Sequence, residues 1–174
     1  MNTLTFHITD IASNSVRAGA TRIMLDVVIE GDNARIRIAD NGCGMDAETV
    51  SRVSNPFYTT RTTRRIGLGI PFLIQNAEQT GGSVKIISQP GEGTEVTASF
   101  HTSHIDCPPW GDLAGTVAML ISGNPAINVC FTYRKGEHTF ELSTKELQSI
   151  FEDIPLNHPK VILVIKEMLA ENLK

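Results

Sequence analysis

Apolar residues follow two rhythms along this chain, and the change from one to the other marks out its elements. Over residues 3–18 the spacing is helical, with Ile8, Ile11, Ala12 and Ser15 on one side. On the opposite side His7, Asp10, Asn14 and Arg17 follow at steps of three, four and three, which predicts a single polar stripe. Gly19 suits a left-handed turn at the end of that helix. The rhythm then becomes strict alternation. Ile23, Leu25, Val27 and Ile29 interleave with Arg22, Asp26 and Glu30, Gly31-Asp32-Asn33 makes a turn, and residues 34–39 return antiparallel. This hairpin ends on Asp40 and the corner Asn41-Gly42-Cys43-Gly44-Met45. Asp46 is placed to cap a short helix reaching Val53, with Glu48 in its first turn. Gly67-Leu68-Gly69 opens another helix running to Thr80, with Pro71 in its first turn. Residues 83–89 and 94–100 form a second hairpin for the same sheet, turned by Pro90-Gly91-Glu92-Gly93.

Cys107-Pro108-Pro109-Trp110-Gly111 reads as a linker separating two compositions, and predicts domains over residues 1–104 and 105–174. Beyond it the pattern gives a helix over 112–122, a hairpin of 128–133 with 138–142, a helix begun by the capping box of Ser143 and Glu146, and a last amphipathic helix opened by Pro159. About seventy residues make a marginal core of their own. This small α/β accessory domain is therefore expected to pack on the first domain or to pair with another copy. His101, His104, His138 and His158 are scattered through it and its approach, and read as unrelated surface residues rather than a metal site.

Composition narrows the partners. A chain of 174 residues with a formal charge of -4 gives no general attraction to nucleic acid or to an anionic membrane surface. Any anion site must be local. No apolar run reaches membrane-spanning length and the first residues lack a signal-peptide plan, so the expected location is cytoplasmic. Cys43, Cys107 and Cys130 are too few and too widely spaced for a disulfide framework or a zinc site.

The polar stripe and the glycine corner carry the candidate chemistry. Asp and Asn favour caps and turns, so Asp10 and Asn14 inside a helix ask for a reason, and a ligand supplies one. Asn14 can offer an amide oxygen to a hard cation such as Mg2+, Arg17 can hold phosphate oxygens, and Asp10 can position or deprotonate a water. Asp40 at its strand end can accept a hydrogen bond from an exocyclic amino group such as that of adenine. Residues 55–65 are polar and basic, and Arg61, Arg64 and Arg65 suit a lid over a polyphosphate. Gly67 and Gly69 would let phosphate approach bare backbone N–H groups at the start of a helix. The P-loop and the dinucleotide fingerprint are both excluded, the latter because Phe72 stands where its third glycine belongs.

An Asp-x-x-x-Asn helix, the Asp-x-Gly-x-Gly corner, Pro-Phe-Tyr-Thr-Thr, Gly-x-Gly opening a helix, and Gly-x-Gly-Thr before a strand occur here in one order. Together they resemble the nucleotide-binding domain of DNA gyrase, the heat-shock chaperone, sensor histidine kinases and MutL, the GHKL ATPases. The resemblance covers residues 3–100. It is nearest to histidine kinases from Pro56 onward, whereas the first helix looks more like that of MutL. It implies an α+β fold, a two-layer α/β sandwich (the Bergerat ATP-binding fold) with a mixed sheet and helices on one face, holding Mg-ATP. By position it implies that Asp40 binds the adenine amino group with Thr94 supporting through water, that Asn14 ligates Mg2+, and that Arg17 meets phosphate. It implies also that Gly42 and Gly44 give adenine its room, that Met45 lines the pocket, and that Arg61, Gly67, Leu68 and Gly69 serve the phosphates. The acid that activates water in hydrolysing members is a glutamate; Asp10 is shorter by about 1.5 Å, which weighs against efficient hydrolysis. Kinases of the family carry a phosphoacceptor module ahead of the ATP domain, for which the residues before Asp10 leave no room. His7 lacks the phosphoacceptor context, so any acceptor is expected to be another protein. The implied function is an ATP-dependent signalling kinase or regulator acting on a protein partner. The alternatives are a MutL-like ATPase switch that dimerises, and a nucleotide-sensing module without catalysis.

Overall fold

The computed structural model describes residues 3–55 and 69–174. In chain order the elements are α1 (Leu4–Arg17), β1 (Arg22–Glu30), β2 (Asn33–Asp40), α2 (Ala47–Val53), α3 (Gly69–Gln79), β3 (Ser83–Gln89), β4 (Gly93–His101), α4 (Leu113–Gly123), β5 (Asn128–Lys135), β6 (His138–Ser143), α5 (Thr144–Phe151) and α6 (Pro159–Asn172). Six strands form one sheet in the order β3-β4-β2-β1-β5-β6. Every pairing is antiparallel except that of β1 with β5.

Alternation decides which face of the sheet is covered. Ile23, Leu25 and Val27 of β1, Ile36 and Ile38 of β2, Val96, Ala98 and Phe100 of β4, and Val129, Phe131 and Tyr133 of β5 are all buried. Against them lie Leu4, Ile8 and Ile11 of α1, Leu73 and Ala77 of α3, and Val117, Ala118 and Ile121 of α4, with Ile165 and Leu169 of α6 packed beside α4. Each fully buried aliphatic or aromatic side chain of this kind contributes about 1.5–3 kcal/mol. The opposite face is polar. There Arg37 pairs with Asp26 at 2.7 Å and with Glu95 at 2.9 Å, tying three neighbouring strands together.

A separate C-terminal accessory domain is not confirmed. β5 pairs with β1 from Arg22↔Asn128 to Ile29↔Lys135, so the C-terminal residues continue the first sheet. The physical reason is that Val129, Phe131 and Tyr133 extend the same apolar face, which seventy residues could not bury alone. The linker is also tied back. Leu4 donates its N–H to the Pro109 carbonyl at 2.9 Å and Thr5 to that of Trp110 at 3.0 Å, satisfying two of the donors that open α1. Of the two fates expected for the C-terminal part, packing on the first domain is the one observed.

Candidate functional site

A cavity of about 550 Å³ opens between α1, the ends of β2 and β4, and the start of α3. Ile11, Ile38, Val53, Ile70 and Val96 give it apolar walls, and Asp10, Asn14, Arg17, Asp40 and Thr94 bring polar groups to it. Gly44, Met45 and Gly69 also line it. Apolar walls with a few convergent polar groups are the usual character of a small-molecule site.

Asp40 is the most constrained acid there. Its Oδ1 accepts from the Gly42 N–H at 2.9 Å and the Thr94 N–H at 3.3 Å, and its Oδ2 accepts from the Ser15 hydroxyl at 2.5 Å. Ser15 is buried on α1, where the helical pattern placed it, but its bond to Asp40 spans 25 residues and has no local signal. Ser88 was also missed. It accepts from the Met45 N–H at 2.8 Å, donates to the Gly93 carbonyl at 3.0 Å, and meets the Thr94 hydroxyl at 2.8 Å, so one hydroxyl pins both loops of the site.

The two glycines of the corner do different jobs. Gly44 has φ +71°, and a Cβ on it would stand 1.9 Å from the Gln89 carbonyl oxygen, so the chain passes here only without a side chain. Gly42 does not line the cavity. A Cβ there would meet the Ala18 Cβ at 2.7 Å, so Gly42 lets the corner close onto the end of α1.

On α1 the polar stripe divides. Asp10, Asn14 and Arg17 line the cavity, whereas His7 is 2% exposed and turns under α3, its Nε2 2.7 Å from the Asn76 amide. On a helix of 3.6 residues per turn His7 lies only about 20° round from Asn14, so it is the covering of this end of α1 by α3 that buries it. Burial pushes the Asp10 carboxyl above its ordinary range, and the nearby Arg17 cation opposes this. Asn14 accepts a hydrogen bond from the Arg17 guanidinium. Arg61, Gly67 and Leu68 lie outside the described residues. Among the described residues no cluster of three or more His, Cys, Asp or Glu could hold a metal, and no helix is long and apolar enough to cross a membrane. The three cysteines are free thiols.

Residues 2–104 match the family described as "Histidine kinase-, DNA gyrase B-, and HSP90-like ATPase". The chain is 32% identical over 101 residues to a "Putative sensor protein" of Shewanella frigidimarina, an alignment covering 56% of this chain and 15% of that protein. It is also 32% identical over 106 residues to the "Sensor histidine kinase YxdK" of Bacillus subtilis, covering 57% of this chain and 33% of the kinase. The chain thus spans a third or less of the length of these two relatives. Many solved structures share the fold, two of which follow. The N-terminal domain of a DNA repair protein superposes with a TM-score of 0.58 at 16% identity, covering 87% of this chain and 57% of that one. The Aquifex aeolicus MutL ATPase domain complexed with ADP does so with a TM-score of 0.54 at 18% identity, covering 87% and 70%.

Proposed function

The chain belongs to the histidine kinase-, DNA gyrase B- and HSP90-like ATPase family, and from that premise we propose that it binds Mg-ATP in the cavity beside α1 and acts as a signalling kinase or regulator on a separate protein. The observation that carries the ATP reading is the Asp40 carboxylate, held by three donors at the apolar end of a cavity whose other side carries Asp10, Asn14 and Arg17. A carboxylate has about four acceptor sites. Three are taken, which leaves one for an exocyclic amino group and sets the acid against the 6-oxo group of guanine. A volume of about 550 Å³ suits a nucleotide, since such sites occupy about 300–1,000 Å³.

Asn14 and Arg17 fit the polar end. The Asn14 oxygen accepts one hydrogen bond and keeps a second lone pair, which makes it the candidate protein ligand for Mg2+. When bound, the ion would neutralise charge on the phosphates. Arg17 would hold phosphate oxygens, and Gly69 would give them access at the start of α3. Asp10 would orient or deprotonate a water, and since burial raises its pKa, that role strengthens with rising pH. Met45 would lie along the base, with Thr94 beside Asp40. A nucleotide-driven switch that dimerises is the second reading, favoured by the place of Asp10 in the same cavity as Asn14.

The test is phosphate release from Mg-ATP by the purified protein, with Asp10→Asn and Asn14→Ala beside it and binding measured in parallel. Binding without release supports action through a protein partner. Release that disappears in Asp10→Asn while binding remains supports the switch. Absence of ATP binding contradicts both.

A further inference from the structure

α1 and α3 meet at two polar points. At the first, Asp10 lies against Gly69, the opening residue of α3: a Cβ on Gly69 would stand 3.3 Å from both the Cβ and Oδ2 of Asp10. At the second, seven residues further along α3, the Asn76 amide lies 2.7 Å from Nε2 of His7. Apolar contacts of Ile8, Ile11 and Leu73 lie nearby. Such contacts are not directional and allow one helix to slide on another. A hydrogen bond between the buried His7 and the partly buried Asn76 does not.

His7 is an unexpected residue for this position. Its Nδ1 is buried and has no hydrogen-bond partner, and the small space that His7 borders is lined by Ile36, Ile38, Leu73 and Val96. The space beside it, about 10 Å³, is lined otherwise by apolar groups and offers a water no further partners. A leucine would fill the same room without stranding a ring nitrogen. What the imidazole adds is direction, through the one bond to Asn76.

We propose that His7 is a positioning residue of the nucleotide site, which through Asn76 fixes the register of α3 on α1 and so seats Gly69 against Asp10 at the phosphate end of the cavity. This rests on the reading that the cavity takes ATP, although the seating itself can be read without nucleotide. A slip of one helical turn would carry Gly69 about 5.4 Å from its seat. Adenine would lose less, since Asp40 and its three donors lie off α3, although Ile70 moves with the helix.

The experiment compares wild type with His7→Leu, Asn76→Leu, the double variant carrying both leucines, and His7→Gln, whose amide oxygen can accept from the Asn76 amide where Nε2 does. The Asp10 carboxyl is titrated by carbon NMR in nucleotide-free protein, and the affinities for Mg-ATP and for adenosine are measured by calorimetry. In the leucine variants the Asp10 titration moves down towards the ordinary carboxyl range, and ATP weakens relative to adenosine by about tenfold, the size of one directed hydrogen bond. His7→Gln keeps both near wild type. The double variant, with no stranded polar group, folds and still shows the Asp10 shift. An unchanged Asp10 titration in the folded double variant overturns the proposal, as does a parallel fall of ATP and adenosine. If wild type binds neither ligand, the ATP reading fails on its own and the Asp10 titration still decides the seating.

Discussion

Replacing Ser15 by Ala removes a single oxygen and leaves no cavity of consequence, so its effect reports mainly on the short bond to Asp40, the 3.4 Å contact with the Ile11 carbonyl being lost with it. Ser15 is 2% exposed and donates to Asp40 Oδ2 at 2.5 Å. A hydrogen bond to a charged group contributes about 1.5–3 kcal/mol. Asp40 is only partly buried and water can replace part of the loss, so the expected cost is about 1.5 kcal/mol, at the low end of that range. For a chain of this size each kcal/mol lowers the melting temperature by about 2–4 °C, which predicts a fall of about 3–6 °C. Circular dichroism melts of wild type, Ser15→Ala, Asp40→Ala and the double variant measure it. Because both single changes break the same bond, the double variant should fall short of additivity by about 1 kcal/mol. Additive losses, or a Ser15→Ala protein melting with wild type, would refute the reasoning.

Other predictions follow from single positions. Gly44→Ala combines a positive φ with a Cβ placed 1.9 Å from the Gln89 carbonyl, whereas Gly31→Ala has φ +56° and open space, so thermal melts should show a clearly larger loss for Gly44→Ala. Phe131→Ala, at a residue 1% exposed, should cost about 3–5 kcal/mol and lower one shared transition that includes β1, read by amide exchange; two separate transitions would speak against the continuous sheet. Burial holds His7 below its ordinary 6.5, so the unfolded chain takes up that proton first: the stabilising contribution is complete above pH 6.5 and is lost as pH falls towards the folded value. Urea unfolding on either side of 6.5 should show this slope in wild type and a weaker one in His7→Gln. Asp10 has the opposite sign. With its folded value raised above 3.8, it costs stability once ionised, so Asp10→Asn should melt higher than wild type at neutral pH.

Where the chain's own periodicity carried the information, the fold was legible. Alternation in 22–30 and 34–39 and helical spacing in 3–18 match β1, β2 and α1 to within a residue or two at their ends. Contacts that depend on how elements stack were not legible. His7, Asp10, Asn14 and Arg17 look equivalent on one stripe, and only the arrival of α3 over its N-terminal end decides that His7 is buried. The Ser15–Asp40 bond depends on where α1 lies over the end of β2, which no local spacing encodes. At the linker, Pro108, Pro109 and Gly111 signalled a break in regular structure. Such residues say nothing of whether the following strand docks, and β5 returns to pair parallel with β1. Gly42 and Gly44 are alike in sequence and differ only in what passes beside them, the end of α1 or the strand at Gln89.

The central claim, that the Asp40 end of the cavity reads adenine, is tested most directly by calorimetric titration of wild type and Asp40→Ala with Mg-ATP, and of wild type with Mg-GTP. The account predicts one ATP per chain, much weaker GTP, and a loss of at least about tenfold in Asp40→Ala, the size expected for a hydrogen bond to a charged group. Equal affinity for ATP and GTP, or ATP binding untouched by Asp40→Ala, would contradict it.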